Sequence, residues 1–401
     1  MNNIYAALEI GTTRTVLAIG EAETGGRLKV TCHAEIPSSG VRKSQIVDIG
    51  QASQSIRAVL HEIEKKQDEI GSKITVGNAF LAVSGQHIKT DPSYGTAQVE
   101  GVKVGAAEIN EVARSSRQQV VLPKDRELLD IVDQDYVLDN LGGISAPKGM
   151  SGRLLKLNTL HIHADRNRIS DARTAAEAAH LEIREPLFAT TCAAEAVLEE
   201  HEKKNGVLVL DIGGGSTGYA VYGDGYLVSA GVIGVGGDHV TNDIAHAFST
   251  TNAQAEEIKI REASAVLGDA AGESARVKIP GSNPLMETRT ISRRALDTVV
   301  NARIKELFSI IREILERDDL LHRLHSGVVI TGGGARLRNI DQILRHELGM
   351  DVRCGRPIHV DGFENEEGSE AFAAIAGALH YAHKNYEEKS IFDGILGRFF
   401  K

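Results

Sequence analysis

VLVLDIGGGSTGYAVY, residues 207–222, is an aliphatic run that empties into a glycine turn and then resumes. Gly213, Gly215 and Gly218 satisfy G-x-G-x-x-G, the dinucleotide fingerprint, but that fingerprint needs a helix to open at the turn. Here the chain runs on through residues 219–222, turns at Gly223-Asp224-Gly225 and resumes as YLVSAGV, so the pattern predicts a β-hairpin. No G-x-x-x-x-G-K-[ST] occurs in the 401 residues, which excludes the ordinary P-loop fold. A phosphate chain bound at this turn is bound by a hairpin.

The plan occurs twice. Residues 8–30 and 210–229 both read as Leu, an acidic residue, Ile, Gly, a hydroxyl-rich turn, a strand, a Gly-containing turn and another strand. Two such hairpins half a chain apart predict two similar lobes facing each other, each offering backbone N–H groups and hydroxyls to phosphates held between them. The first copy supplies Gly11, Thr12, Thr13 and Arg14; the second supplies Gly213, Gly214, Gly215, Ser216 and Thr217. Glu9 and Asp211 occupy equivalent places, one per lobe, where a carboxylate can hold Mg²⁺ through waters; a solvated acid at a strand end reads the same way. A third glycine cluster, Gly332, Gly333 and Gly334, follows the run GVVIT.

Composition narrows the function. With 42% hydrophobic and 25% charged residues the chain has an ordinary globular make-up, and its length is too great for one small core. Lys and Arg number 45 against 55 Asp and Glu, a net −10, and the basic residues are scattered, so nucleic acid is not an expected partner. No run approaches the roughly 18 apolar residues of a spanning helix. MNNIYAALEIG lacks the regions of a signal peptide, so the chain reads as cytoplasmic. Cys32, Cys192 and Cys354 form no C-x-x-C pair and read as reduced structural thiols. His161 and His163 share a strand face, but nothing completes a metal site, and they read as surface histidines.

DIGGGST after an apolar strand, EIGTT near the N-terminus and TGGGA near the C-terminus resemble the two phosphate motifs and the adenosine motif of the actin, Hsp70 and sugar-kinase superfamily. Within it, SGQHIKT, LLDIVDQDYVLDN, GMSG and GVIGVGGDHVTNDIAHAF are similar in order and spacing to segments of the FtsA family, the bacterial actin homologues of cell division. Together with the glycine motifs they cover nearly the whole chain. The resemblance implies an α/β, two-lobed actin-like (ribonuclease H-like) ATPase fold with an inserted small α+β domain and a C-terminal amphipathic helix. It places the first actin-like lobe at residues 1–84 and the inserted domain at 85–165. The second lobe falls at 166–245 and 326–383, its subdomain at 246–325, a linker at 384–389 and the terminal helix at 390–401. Within 246–325, Ala302, Ile304, Leu307, Ile310, Ile311 and Ile314 recur at helical spacing, an apolar face read as core.

The same resemblance implies residue roles. Adenosine contacts fall on Gly236, Gly237, Asn242, Glu256 and Lys259, and on Gly332, Gly333, Gly334 and Arg336; alone, Glu256 and Lys259 would be a surface ion pair. Glu185 corresponds to the segment joining the lobes, whose side chain positions the attacking water in phosphoryl transfer. Arg289 and Arg303 match positions implicated in binding the acidic C-terminal tail of FtsZ, although solvated helix charges read the same. Two departures stand out: Glu9 where Asp is usual, and Thr217-Gly218 where the motif usually continues Thr-Asp. Both touch metal or phosphate geometry, so ATP and Mg²⁺ are the expected cofactors with at most weak ATPase activity.

The last segment is SIFDGILGRFFK. Ile391, Phe392, Ile395, Leu396, Phe399 and Phe400 recur at i, i+1, i+4, i+5, i+8 and i+9, one face of a helix. A terminal helix docked on the protein's own core reads identically; the resemblance implies a membrane-targeting helix on anionic lipid. The family reading is an ATP-binding protein that polymerises with itself on the cytoplasmic face of the cell membrane at the division site. There it tethers FtsZ and meets later division proteins through residues 85–165. A PilM-like pilus-assembly ATPase and a small-molecule kinase of the same fold are the alternatives.

Overall fold

The computed structural model describes residues 4–23, 27–72, 74–268, 275–279, 288–363 and 367–385. Both predicted hairpins form. Ile4–Ile10 pairs antiparallel with Arg14–Ala22, which pairs with Leu28–Pro37. Val207–Ile212, Thr217–Gly223 and Tyr226–Ile233 repeat that meander. Each meander is extended on its far side by two parallel strands. Asn78–Val83 and Glu182–Phe188 join beside Ile4–Ile10, and Val328–Thr331 and Val352–Cys354 join beside Val207–Ile212. The two sheets therefore share one strand order, third-second-first-fourth-fifth, which makes the sequence repeat a repeat of topology.

The inserted domain interrupts the first lobe's last crossover. After Asn78–Val83 the chain builds a four-stranded antiparallel sheet from Lys89–Gln98, Leu154–Asp165, Arg126–Leu138 and Leu141–Ile144. Its own small core includes Val112 of helix Ala106–Gln118 together with Leu138, Leu155 and Leu157. The chain then passes through helix Arg166–Glu177 into Glu182–Phe188, which pairs with Asn78–Val83. The expected start of the second lobe at residue 166 is thus corrected, because parallel neighbours need a crossover and here the crossover carries the whole insert. The end of the chain is corrected likewise. Val360–Asp361 pairs with Leu28–Pro37, and the helical residues 373–385 bury Ile375, Ala378 and Leu379 in the core that holds Leu8, Leu17 and Phe80.

A second core lies on the other face of the second sheet. Leu208, Leu210 and Val221 pack there with Val240, Ile258 and the helix Arg293–Arg317. That helix buries Ile304, Leu307 and Ile311 as their spacing predicts, adds Phe308, and turns Ala302 to solvent. His161 and His163 are buried, not at the surface, because Leu154–Asp165 is a central strand. His163 sits between the Asp91 carboxylate at 2.8 Å and Arg126, whose Nε donates to its Nδ1 at 2.7 Å. Among the described residues no group of three or more side chains is arranged to hold a metal, and no helix is long and apolar enough to cross a membrane. Most of the proposed linker and all of 390–401, with Ile391, Phe392, Ile395, Leu396, Phe399 and Phe400, lie outside the described residues.

Candidate functional site

The two hairpin turns close in the same way: Gly11 N donates to Arg14 O at 3.0 Å and Gly213 N to Ser216 O at 2.9 Å. They meet across the gap between the lobes. A Cβ on Gly214 would lie 2.1 Å from Thr13 Oγ1, and one on Gly215 2.4 Å from Thr12 Oγ1, so only glycine permits this approach. Above the turns opens a cleft of about 520 Å³, within the usual span of small-molecule sites. One end is lined by backbone N–H groups and hydroxyls of the two turns. The other carries Ile260, Ile304, Leu307, Leu337 and Ile340, an apolar slot.

The second wall is held by polar ties. Gly237 N and Asp238 N donate to Gly213 O and Gly214 O at 2.9 and 2.8 Å, which fixes the start of helix Gly237–Ala247 against the second turn. Lys259 Nζ donates to Glu256 Oε2 at 2.6 Å, to Thr241 Oγ1 at 2.9 Å and to Gly237 O at 3.2 Å, which locks helix Asn252–Glu262 to it. The third glycine cluster forms the remaining rim, with Arg336 near the buried Glu370 at 3.8 Å.

Glu9 and Asp211 flank the phosphate end. Burial raises the Glu9 carboxyl above its ordinary range, Arg14 opposes the rise and Glu35 adds to it. Burial pushes Asp211 up to about 7, with Glu9 adding and Arg14 opposing. Arg14 is already engaged, donating to the Glu35 carboxylate and to Ala371 O and lying over the Phe372 ring at 4.9 Å. Two recessed acids with raised pKa values, Asp211 partly through the Glu9 charge, beside a phosphate-type turn are a donor set that a hard divalent cation relieves.

The cleft thus gathers residues 11–14, 213–216, 332–334, Gly236, Gly237, Glu256, Lys259, Arg336 and both carboxylates. Three residues expected at the nucleotide site stand elsewhere. Thr217 is buried and its Oγ1 donates to Val235 O at 2.8 Å, since strand alternation turns it away from Ser216. Asn242 accepts from Asn252 Nδ2 at 3.1 Å, outside the cleft. Glu185 does not line the cleft; it lies at the irregular pairing between Ile183 and Pro186 and accepts from the Tyr381 hydroxyl at 3.1 Å. Arg303 does line it, but as half of a bidentate pair with Asp243, at 2.6 and 3.0 Å, so it is not a free docking cation. Arg289 is exposed and donates to Ser249 O at 3.2 Å.

Asp238 was missed by the sequence reading. It lines the cleft, Thr13 Oγ1 donates to it across the lobes at 3.4 Å, and burial raises its pKa while Lys259 opposes and Glu256 adds. An acid directly after Gly236-Gly237, in the first turn of a helix, was the available signal.

Two lobes of one topology, closing on a cleft with a glycine-hydroxyl turn and a carboxylate from each, define an actin-like ATPase fold. Solved structures share it: the PilM-PilN type IV pilus biogenesis complex matches with a TM-score of 0.64 and 18% identity, over 94% of this chain and 98% of that one. MreB5 of Spiroplasma citri bound to ADP matches with a TM-score of 0.55 and 14% identity, over 96% and 98%. The chain belongs to the FtsA family of cell division proteins. It is 34% identical over 380 residues to Cell division protein FtsA of Pseudomonas aeruginosa, spanning 94% of this chain and 89% of that one. Residues 208–377 match the profile of Cell division protein FtsA, and 85–163 that of the SHS2 domain inserted in FTSA.

Proposed function

We propose that the chain binds ATP and Mg²⁺ in this cleft, polymerises with itself on the cytoplasmic face of the cell membrane, and tethers FtsZ there at the division site. The observation that carries the nucleotide reading is the contact of residues 12–13 with Gly214 and Gly215 from opposite lobes. A phosphate chain taken by both turns joins the lobes, so its loss loosens them. The apolar slot suits the adenine ring, and Glu256 with Lys259 suits the polar edge of the adenosine. Glu9 and Asp211 would hold Mg²⁺ through waters, and the ion would neutralise phosphate charge. With Glu185 outside the cleft, its carboxylate is not placed to orient a water. Nucleotide then serves as a switch for assembly, with slow turnover.

The membrane part of the proposal rests on the family and on the period of residues 391–400. Fully burying one Phe, Leu or Ile contributes roughly 1.5–3 kcal/mol, and a basic residue near anionic lipid about 1. A single tail is a modest anchor, since an interfacial helix buries these side chains incompletely; a filament multiplies it through effective concentration. Deleting residues 390–401 is expected to release the protein from anionic liposomes with its melting temperature unchanged. A sharp fall in melting temperature with sedimentation retained would assign the segment to the folded core. Electron microscopy on a lipid monolayer with ATP tests nucleotide, membrane and polymer together, and lipid left bare in all conditions would remove the reading.

For FtsZ, the structure narrows the test to Arg289. Arg303→Glu would set a third acid against Asp243 and Glu306 and disturb the cleft. Arg289→Glu alone is expected to lower retention on an immobilised peptide of the FtsZ acidic C-terminal tail severalfold, with ATP affinity unchanged. Equal retention would leave Arg289 a solvated charge.

A further inference from the structure

Between the first lobe's meander and its long helix Ile49–Glu69 stands a small hairpin of Val41–Arg42 and Gln45–Ile46. Its two-residue turn is Lys43-Ser44, with φ of 49° and 58°. Such turns require left-handed residues at both positions and ordinarily use Asn and Gly, so a Lys-Ser pair is strained in a place where unstrained choices exist. Strain of this kind persists where the side chains are needed.

The turn is pressed into the phosphate end of the cleft. Ser44 N donates to Thr12 Oγ1 at 2.8 Å, and Ser44 Oγ lies 2.9 Å from Ser216 Oγ, so one residue touches the phosphate turns of both lobes. A Cβ on Gly215 would meet Ser44 N at 2.9 Å and Lys43 Cα at 3.0 Å. Ser84 Oγ, 3.4 Å from Ser216 Oγ, completes the group of hydroxyls, and Ser44 and Ser84 both line the cleft. Lys43, the other residue of the turn, is exposed and forms no ion pair among the described residues. The hydroxyls of Ser44, Ser84 and Ser216 converge beyond the two turns, and Lys43 supplies an exposed, flexible side chain on the same small turn; together they suit the most remote, most highly charged phosphate of a triphosphate.

We propose that the Lys43-Ser44 turn is a third phosphate-contacting element that recognises the terminal phosphate of a nucleoside triphosphate, so that the cleft distinguishes ATP from ADP. The inference rests on the ATP reading above and deepens it. Ser84 gives the turn a consequence. It directly follows Asn78–Val83, where the chain leaves the first lobe for the inserted domain, and a Cβ on Gly85 would meet Ser44 O at 3.1 Å. The turn therefore abuts the first residues of that domain, and whatever moves the turn moves its attachment point.

The test is the ratio of affinities of the full chain, with Mg²⁺, for a non-hydrolysable ATP analogue and for ADP. Ser44→Gly removes the hydroxyl and relieves the left-handed strain; Lys43→Ala removes the ammonium. Each is expected to weaken the ATP analogue about tenfold, the scale of a charge-assisted hydrogen bond, with ADP affinity held. An intact chain that bound neither nucleotide would overturn the ATP reading and the inference together. If the intact chain binds both and the variants keep its ATP-to-ADP ratio, whether by losing neither or by losing both equally, the inference alone falls.

Discussion

Gly333→Val is expected to abolish ATP binding and leave the melting temperature unchanged, whereas Gly236→Val abolishes binding and lowers the melting temperature as well. Both glycines border the cleft, but their surroundings differ. A Cβ on Gly333 would have no neighbour within 4 Å, so the valine methyls enter open space at the rim of the cleft, where the proposed nucleotide would lie. A Cβ on Gly236 would stand 2.5 Å from Gly214 O, 2.6 Å from Gly213 O and 2.8 Å from Ser216 N, all backbone atoms of the second phosphate turn. That turn must move, and overpacking of this kind costs about 1–3 kcal/mol. Titration with fluorescent ATP reads the binding, where a loss of at least about a hundredfold is expected for each variant. Thermal melting of the same samples separates filled ligand space from a displaced loop. Wild-type affinity in both variants would remove the nucleotide from this cleft.

The part of this site that was legible in the sequence is the part made by consecutive residues. DIGGGST and EIGTT each carry the end of a strand, its turn and its carboxylate within seven residues or fewer, so local pattern sufficed to place residues 11–14 and 213–216 together. Failures arose where geometry depends on partners far along the chain. Glu182–Phe188 reads as a strand wherever it pairs, and only the sheet assigns it to the first lobe. Arg303 reads as a helix charge until Asp243, 60 residues earlier, is seen to hold it. Thr217 is a different kind of failure, since alternation along its own strand already separates it from Ser216. The Lys43-Ser44 turn gives no glycine signal, because neither of its left-handed positions carries the Gly or Asn that marks such turns.

Asp211→Asn is expected to cost the Mg²⁺-dependent part of nucleotide affinity while making the nucleotide-free protein more stable at pH 8. The sign follows from the direction of the shift. Burial and the Glu9 charge hold the folded Asp211 at about 7, above its ordinary value near 3.8, so the folded state binds this proton more tightly than the unfolded one. The resulting penalty is absent below pH 3.8, grows as the pH climbs towards 7, and is complete above that. Asparagine removes the ionisation and therefore the penalty, so the variant's melting temperature should exceed that of the parent by several degrees at pH 8 and match it at pH 4. A bound divalent cation neutralises the same charge, so Mg²⁺ with nucleotide should stabilise the parent at pH 8 and barely affect the variant. The two turns remain in the variant, so the nucleotide itself should still bind without its cation, weakly and with little response to added EDTA. Equal Mg²⁺ dependence in parent and variant would show that Asp211 does not hold the ion. A variant less stable than its parent at pH 8 would show that the carboxylate is compensated in the folded protein and carries no such penalty.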